Sequence, residues 1–112
     1  MGVSDEDITR AVNFVIRHRG GLSLVHEGHE EILELPVAGL MSTEDGYQVA
    51  QKYSEMTAAV RTLGSRLKAP YMTLSFMALL VIPEIKLSDQ GLFDGNNFTF
   101  VDLFTQSKNK SH

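Results

Sequence analysis

Apolar residues recur at Ile8, Ala11, Val12, Val15 and Ile16, the spacing of one buried stripe on a helix. Ser4 precedes the stripe as an N-cap, and Asp5, Glu6 and Asp7 place negative charge at the positive end of the helix dipole. Arg17, His18 and Arg19 put cations in the last turn, and Gly20-Gly21 stops it. The pattern predicts a helix over residues 5–18.

Leu22 to His26 then reads as a short strand, with Leu22 and Leu24 on one side. Glu27-Gly28 is a two-residue turn, and Glu30 to Leu35 returns as the antiparallel partner until Pro36 ends the pairing. Ser42-Thr43-Glu44-Asp45 opens a second helix with a capping-box-like start. Val49, Tyr53, Met56, Val60 and Leu63 step along one face of it, and Gly64 follows at the usual stop.

The last third is less periodic. Met72, Leu74 and Phe76 alternate with Thr73 and Ser75, which fits a strand or a short helical turn equally. Residues 83–89 alternate as a half-exposed strand, residues 94–97 form a turn, and Phe98, Phe100 and Leu103 suggest a final extended piece. The polar tail, residues 105–112, is expected to be disordered. The sum is an α+β fold over residues 1–104. Two amphipathic helices are expected on one face of a mainly antiparallel sheet, a single layer pair.

Composition narrows the function. A chain of 112 residues with 43% apolar side chains has the size and composition of one globular domain. The absence of cysteine excludes a disulfide framework, a thiolate metal site and a cysteine nucleophile. A net charge of −4 argues against a nucleic-acid partner, which needs clustered Lys and Arg. The longest apolar run, Phe76 to Ile82, is far short of the roughly 20 residues of a membrane helix. The acidic start is not a signal peptide, so a cytoplasmic location is expected.

Candidate chemistry is sparse. His26 and His29 would face each other across the hairpin turn, and with Glu30 they form a conceivable metal ligand set. A solvated polar hairpin tip explains the same residues, and Gly28 argues against the helical His-Glu-x-x-His arrangement. His18 is accounted for by the helix dipole. Ser75 lacks the Gly-x-Ser-x-Gly elbow of a nucleophile, and the glycines form no phosphate loop. No catalytic residue is identified from the residues alone, and no substrate-binding residue is named.

Two stretches are specific. One is Glu34-Leu35-Pro36-Val37-Ala38-Gly39-Leu40-Met41-Ser42; the other runs from Met72 through Asp94 by way of Pro83-Glu84-Ile85-Lys86-Leu87. With Asp5-Glu6-Asp7-Ile8, Ala11-Val12-Asn13 and Gly20-Gly21-Leu22, the chain resembles the C-terminal domain of bacterial adenine deaminase, of the metal-dependent amidohydrolase superfamily. The resemblance runs from about Val3 to Val101. Leu80 stands where that family usually has proline, and the two hairpin histidines are not a family signature.

The resemblance implies a parent enzyme that hydrolyses adenine to hypoxanthine and ammonia with divalent metals, manganese or iron, held in a barrel domain. A (β/α)₈ barrel takes about 250 residues, so this chain contains none. No metal or other cofactor is therefore expected in the chain, and by itself it is expected to be inactive. The barrel domain is the expected partner, with Met72, Thr73, Ser75 and Phe76 as candidate contacts. The resemblance also implies a further strand ahead of Met1, so the chain is expected to be truncated. An edge or apolar face left open in that way would favour a homo-oligomer. The alternatives are a free-standing small-molecule or protein-binding module, with a ligand between the second helix and the sheet, and a small metal enzyme using His26, His29 and Glu30.

Overall fold

The structure is a computed structural model and describes residues 1–104. The expected tail, residues 105–112, lies outside the described residues. The chain divides into two compact units, one spanning Met1–Tyr71 and one beginning at Met72.

In the first unit, α1 (Asp5–Arg17) starts where Ser4 accepts a hydrogen bond from the Asp7 amide, as its sequence dictates. β1 (Gly21–His26) and β2 (His29–Glu34) form an antiparallel hairpin in which His26 pairs with His29. Glu27 and Gly28 both have positive φ, 48° and 84°, the signature of a type I′ turn. α2 (Gly46–Thr62) begins four residues later than Ser42. The Ser42 hydroxyl closes a local turn on the Glu44 amide instead, and the Asp45 carboxylate caps the Tyr47 and Gln48 amides. Gly20 lets α1 end hard against the following loop, because a Cβ there would meet the Gly39 Cα at 2.5 Å.

The α+β class holds, but the two helices lie on opposite faces of the hairpin rather than on one. Successive strand residues point to opposite sides. Ser23, Glu30 and Glu34 share a face, and all three meet α1 or its end. The Ser23 hydroxyl donates to the Ala11 oxygen at 2.8 Å, Arg10 pairs with Glu30 at 2.7 Å, and His18 with Glu34 at 2.8 Å. Leu24, Glu31 and Leu33 share the other face and meet α2. Leu24 and Leu33 join Met56, Val60 and Tyr71 in the core cluster, and Lys52 pairs with Glu31 at 3.0 Å. In place of the expected single layer pair, the hairpin is the middle of three layers.

The α1 stripe is also only partly covered. Ala11 is buried, whereas Ile8 and Val12 are 47% and 54% exposed and Ile16 is exposed as well.

α3 (Pro70–Met77) resolves the ambiguous alternation in favour of helix, with Pro70 at its first position, where its missing N–H costs nothing. In the second unit, β3 (Ile85–Ser88), β4 (Gly91–Asp94) and β5 (Thr99–Val101) form an antiparallel sheet in that order. β4 has no counterpart in the sequence reading. Four residues between two turns carry too little periodicity to announce a strand. Phe93 makes edge-to-face contacts with Phe98 and Phe100, with ring centroids 5.3 and 5.2 Å apart. The alternation in β3 is inverted relative to its hydropathy. Lys86 is buried and donates to the Ile82 and Pro83 oxygens, while Ile85 and Leu87 lie exposed. Asp94 closes the β4–β5 turn. Hydrogen bonds from the Asn97 side chain, then from the Asn97 and Asn96 amides, hold its carboxyl below the usual range.

Candidate functional site

The hairpin tip brings two of its three candidate ligands together. His26 and His29 are cross-strand partners. Glu30, one residue on, points to the opposite face and is engaged by Arg10. The set therefore diverges. His26 Nε2 lies 3.9 Å from the Glu27 carboxylate, and its Nδ1 is buried without a hydrogen-bond partner. Among the described residues, no group of three or more His, Asp or Glu side chains is placed to hold a metal ion. The hairpin residues therefore do not make a converging ligand set for a metal ion.

The second candidate, Met72 to Phe76, lies on α3. The structure does not make it a core strand. Pro70 and Tyr71 are buried at the helix start, whereas Met72, Leu74, Phe76 and Met77 are all exposed. Thr73 and Ser75 are exposed too, and each has an interaction partner.

The third feature is a cleft of about 420 Å³ between β2 and α2. Its lining includes the apolar Ile32, Leu33 and Val49 and the polar Ser42, Gln48 and Lys52. Glu34 and Glu44 also line it. The sequence reading placed a pocket between the second helix and the sheet but named no residue of it. Lining groups come from a strand, a loop and a helix, so no single motif displays them. Lys52 is already held by Glu31 at 3.0 Å and Glu34 by His18. The cleft offers hydrogen bonds to a small polar molecule, and its groups do not assemble a nucleophile with an adjacent base.

The most perturbed side chain lies on the core side of β1. Burial, then the nearby Glu31 and Tyr53, push the Tyr71 hydroxyl up to about 12. Its proton is directed to the Ser23 oxygen, 3.2 Å away, so the group ties elements together rather than facing a substrate.

Comparison with known proteins identifies relatives. Residues 1–99 match the family described as adenine deaminase C-terminal domain. The chain is 56% identical to an adenine deaminase of Sulfurovum sp. (strain NBC37-1), over 91% of this chain and 19% of that protein. It is 54% identical to one of Salinibacter ruber, over 93% of this chain and 19% of that protein. For one of Methanosarcina barkeri the identity is 51%, again over 93% and 19%. The chain thus spans about a fifth of the length of the relatives it matches. No solved structure matches it.

Proposed function

This chain belongs to the family of adenine deaminase C-terminal domains, and from that premise we propose that it is a non-catalytic domain that packs on the metal-bearing part of an adenine deaminase. The observation that carries the reading is the coverage: relatives named for the activity match this chain over only 19% of their length. The reaction implied is the hydrolysis of adenine to hypoxanthine and ammonia, a step of purine metabolism, with divalent metals in an amidohydrolase barrel that this chain does not include. A cytoplasmic location and a homo-oligomeric enzyme go with that reading. Among the described residues, no helix is long and apolar enough to cross a membrane.

The apolar surface supports packing on a larger partner. The α3 side chains Met72 and Phe76 are open, as are Ile85 and Leu87 on β3. Exposed apolar side chains of this kind on α3 and β3 are what a surface packed on a larger partner supplies. Met72, Thr73, Ser75 and Phe76 are the proposed contacts on α3.

Two assays test the proposal. Ammonia release from adenine by the purified chain is expected to be absent, and the chain is expected to bind a relative's deaminase from which this domain has been removed. Ammonia release by the chain alone would overturn the reading. A second reading, a small-molecule-binding module, is favoured by the β2–α2 cleft alone. Calorimetry with adenine and hypoxanthine, with Lys52→Ala as the control, tests it.

A further inference from the structure

The polar side chains of the β2–α2 cleft divide into those already engaged and those left open. Lys52 is held by Glu31 at 3.0 Å, and Glu34 by His18 at 2.8 Å. Glu44 and Gln48 differ. Among the described residues, neither the Glu44 carboxylate nor the Gln48 side-chain amide has a hydrogen bond or ion pair within the chain. Only their backbone amides are in use, on the Ser42 hydroxyl and the Asp45 carboxylate. Both side chains are exposed, and both line the cleft.

The chain around them fixes their placement. Glu44 sits between Ser42 and Asp45, whose side chains close the turns ahead of α2, and Gln48 lies in the first turn of that helix. Leu33 belongs to the core cluster and Val49 packs against it, so the apolar part of the lining is held too. The chemistry left open selects a ligand. An ionised carboxylate only accepts hydrogen bonds, whereas a side-chain amide both donates and accepts. Their complement is an amino group beside a ring nitrogen. Glutamine makes a bidentate pairing of this kind with the amino group and ring nitrogen of adenine. Apolar lining with a few convergent polar groups suits a flat ring, and about 420 Å³ falls within the roughly 300–1,000 Å³ of small-molecule sites. The cleft's ammonium is already paired with Glu31, and the Glu44 charge is not paired, so a phosphate is disfavoured.

We propose that the β2–α2 cleft binds an uncharged, amino-substituted heteroaromatic base and that Glu44 makes it selective for the amino form. One hydrogen of the exocyclic amino group goes to the Glu44 carboxylate and the other to the Gln48 side-chain oxygen. The Gln48 nitrogen donates to the neighbouring ring nitrogen. An oxo base in the same pose sets a carbonyl oxygen against the Glu44 carboxylate, two acceptors with no proton between them. Adenine as the particular base rests on the proposed function; the carboxylate and amide chemistry does not.

The test titrates the full 112-residue chain with adenine, hypoxanthine, adenosine and adenosine monophosphate. Chemical shifts of the Gln48 and Val49 amides read occupancy of the cleft. Adenine is expected to bind about tenfold or more tightly than hypoxanthine, the scale of one hydrogen bond to a charged group. The monophosphate is expected to bind more weakly than adenosine. Glu44→Gln offers a donor as well as an acceptor, and it is expected to bring the two bases within about threefold of each other. The Glu44 side chain is exposed and its turn is closed through its backbone amide, so the variant keeps the fold. Three results would each overturn the proposal: no shift at these amides with millimolar adenine, equal binding of the two bases, or a preference for adenine that survives Glu44→Gln. Packing on a deaminase that lacks this domain is scored in a separate assay, so the two readings fail separately.

Discussion

Tyr71 donates its phenolic hydroxyl to the backbone oxygen of Ser23 at 3.2 Å, linking the first turn of α3 to the middle of β1 across 48 residues of sequence. The same oxygen accepts from the Met1 ammonium. One strand carbonyl thus gathers the chain start, the hairpin and the end of the first unit.

Removing that hydroxyl should weaken the unit and abolish an alkaline transition. Tyr71→Phe keeps the ring in the core and loses a hydrogen bond of about 1 kcal/mol. The folded tyrosine titrates at about 12 and the unfolded one near 10. Between those values the unfolded state binds fewer protons, so stability present below pH 10 is lost as pH rises toward 12. Urea midpoints from pH 9 to 12 should fall for the parent chain and show no such tyrosine-linked fall for Tyr71→Phe.

The amino terminus should give the opposite slope at lower pH. Desolvation at the β1 edge holds the Met1 ammonium below its usual value of 8.0. The folded state releases this proton first on raising the pH. Stability therefore rises as pH climbs toward 8 and levels off above it. Nα-acetylation supplies a neutral N–H donor and removes the titration. The acetylated chain should be the more stable near pH 6, with the gap closing by pH 9 in paired urea melts.

Met56 is the centre of the first unit's core. It is fully buried among Leu24, Leu33, Val60 and Tyr71. Met56→Ala should cost about 2–5 kcal/mol, from lost transfer energy and the cavity left behind. Denaturant unfolding monitored by circular dichroism reads it directly; a loss under 1 kcal/mol would mean the α2–hairpin packing is wrong.

Glu27 holds a left-handed conformation, φ 48°, in the first position of the type I′ turn. Asparagine adopts that region more easily, so Glu27→Asn should stabilise by about 0.5 kcal/mol. Gly28→Ala should destabilise by about 1 kcal/mol, because its φ is 84° with open space around the missing Cβ and strain is the whole effect. Melting temperatures of the two variants should therefore move in opposite directions.

Much of the first unit was legible because its signals are local. Ser4, the three acids after it and Gly20 bound α1, and Glu27-Gly28 marks the turn. The layer order was not legible. The α1 face of β1 carries Ser23, whose polarity suggests solvent. In the fold its hydroxyl is buried and bonded to the Ala11 oxygen, so a face that looked wet is an interface. Lys86 misleads in the same way, as an ammonium satisfied by two loop carbonyls occupies the place that alternation gives to Ile85 and Leu87. The cleft was legible as a location only.

The sequence by itself determined the α+β class, the start of α1, the glycine stop after α2, the hairpin register and the family, because each is written in neighbouring residues or in a motif of fixed order. Tertiary structure alone decided that the hairpin is covered on both faces, that Glu30 parts from the histidines, and that the Ser23 carbonyl gathers Met1 and Tyr71. Those outcomes depend on which buried polar groups find partners across the fold. That pairing between distant residues leaves no periodic trace along the chain.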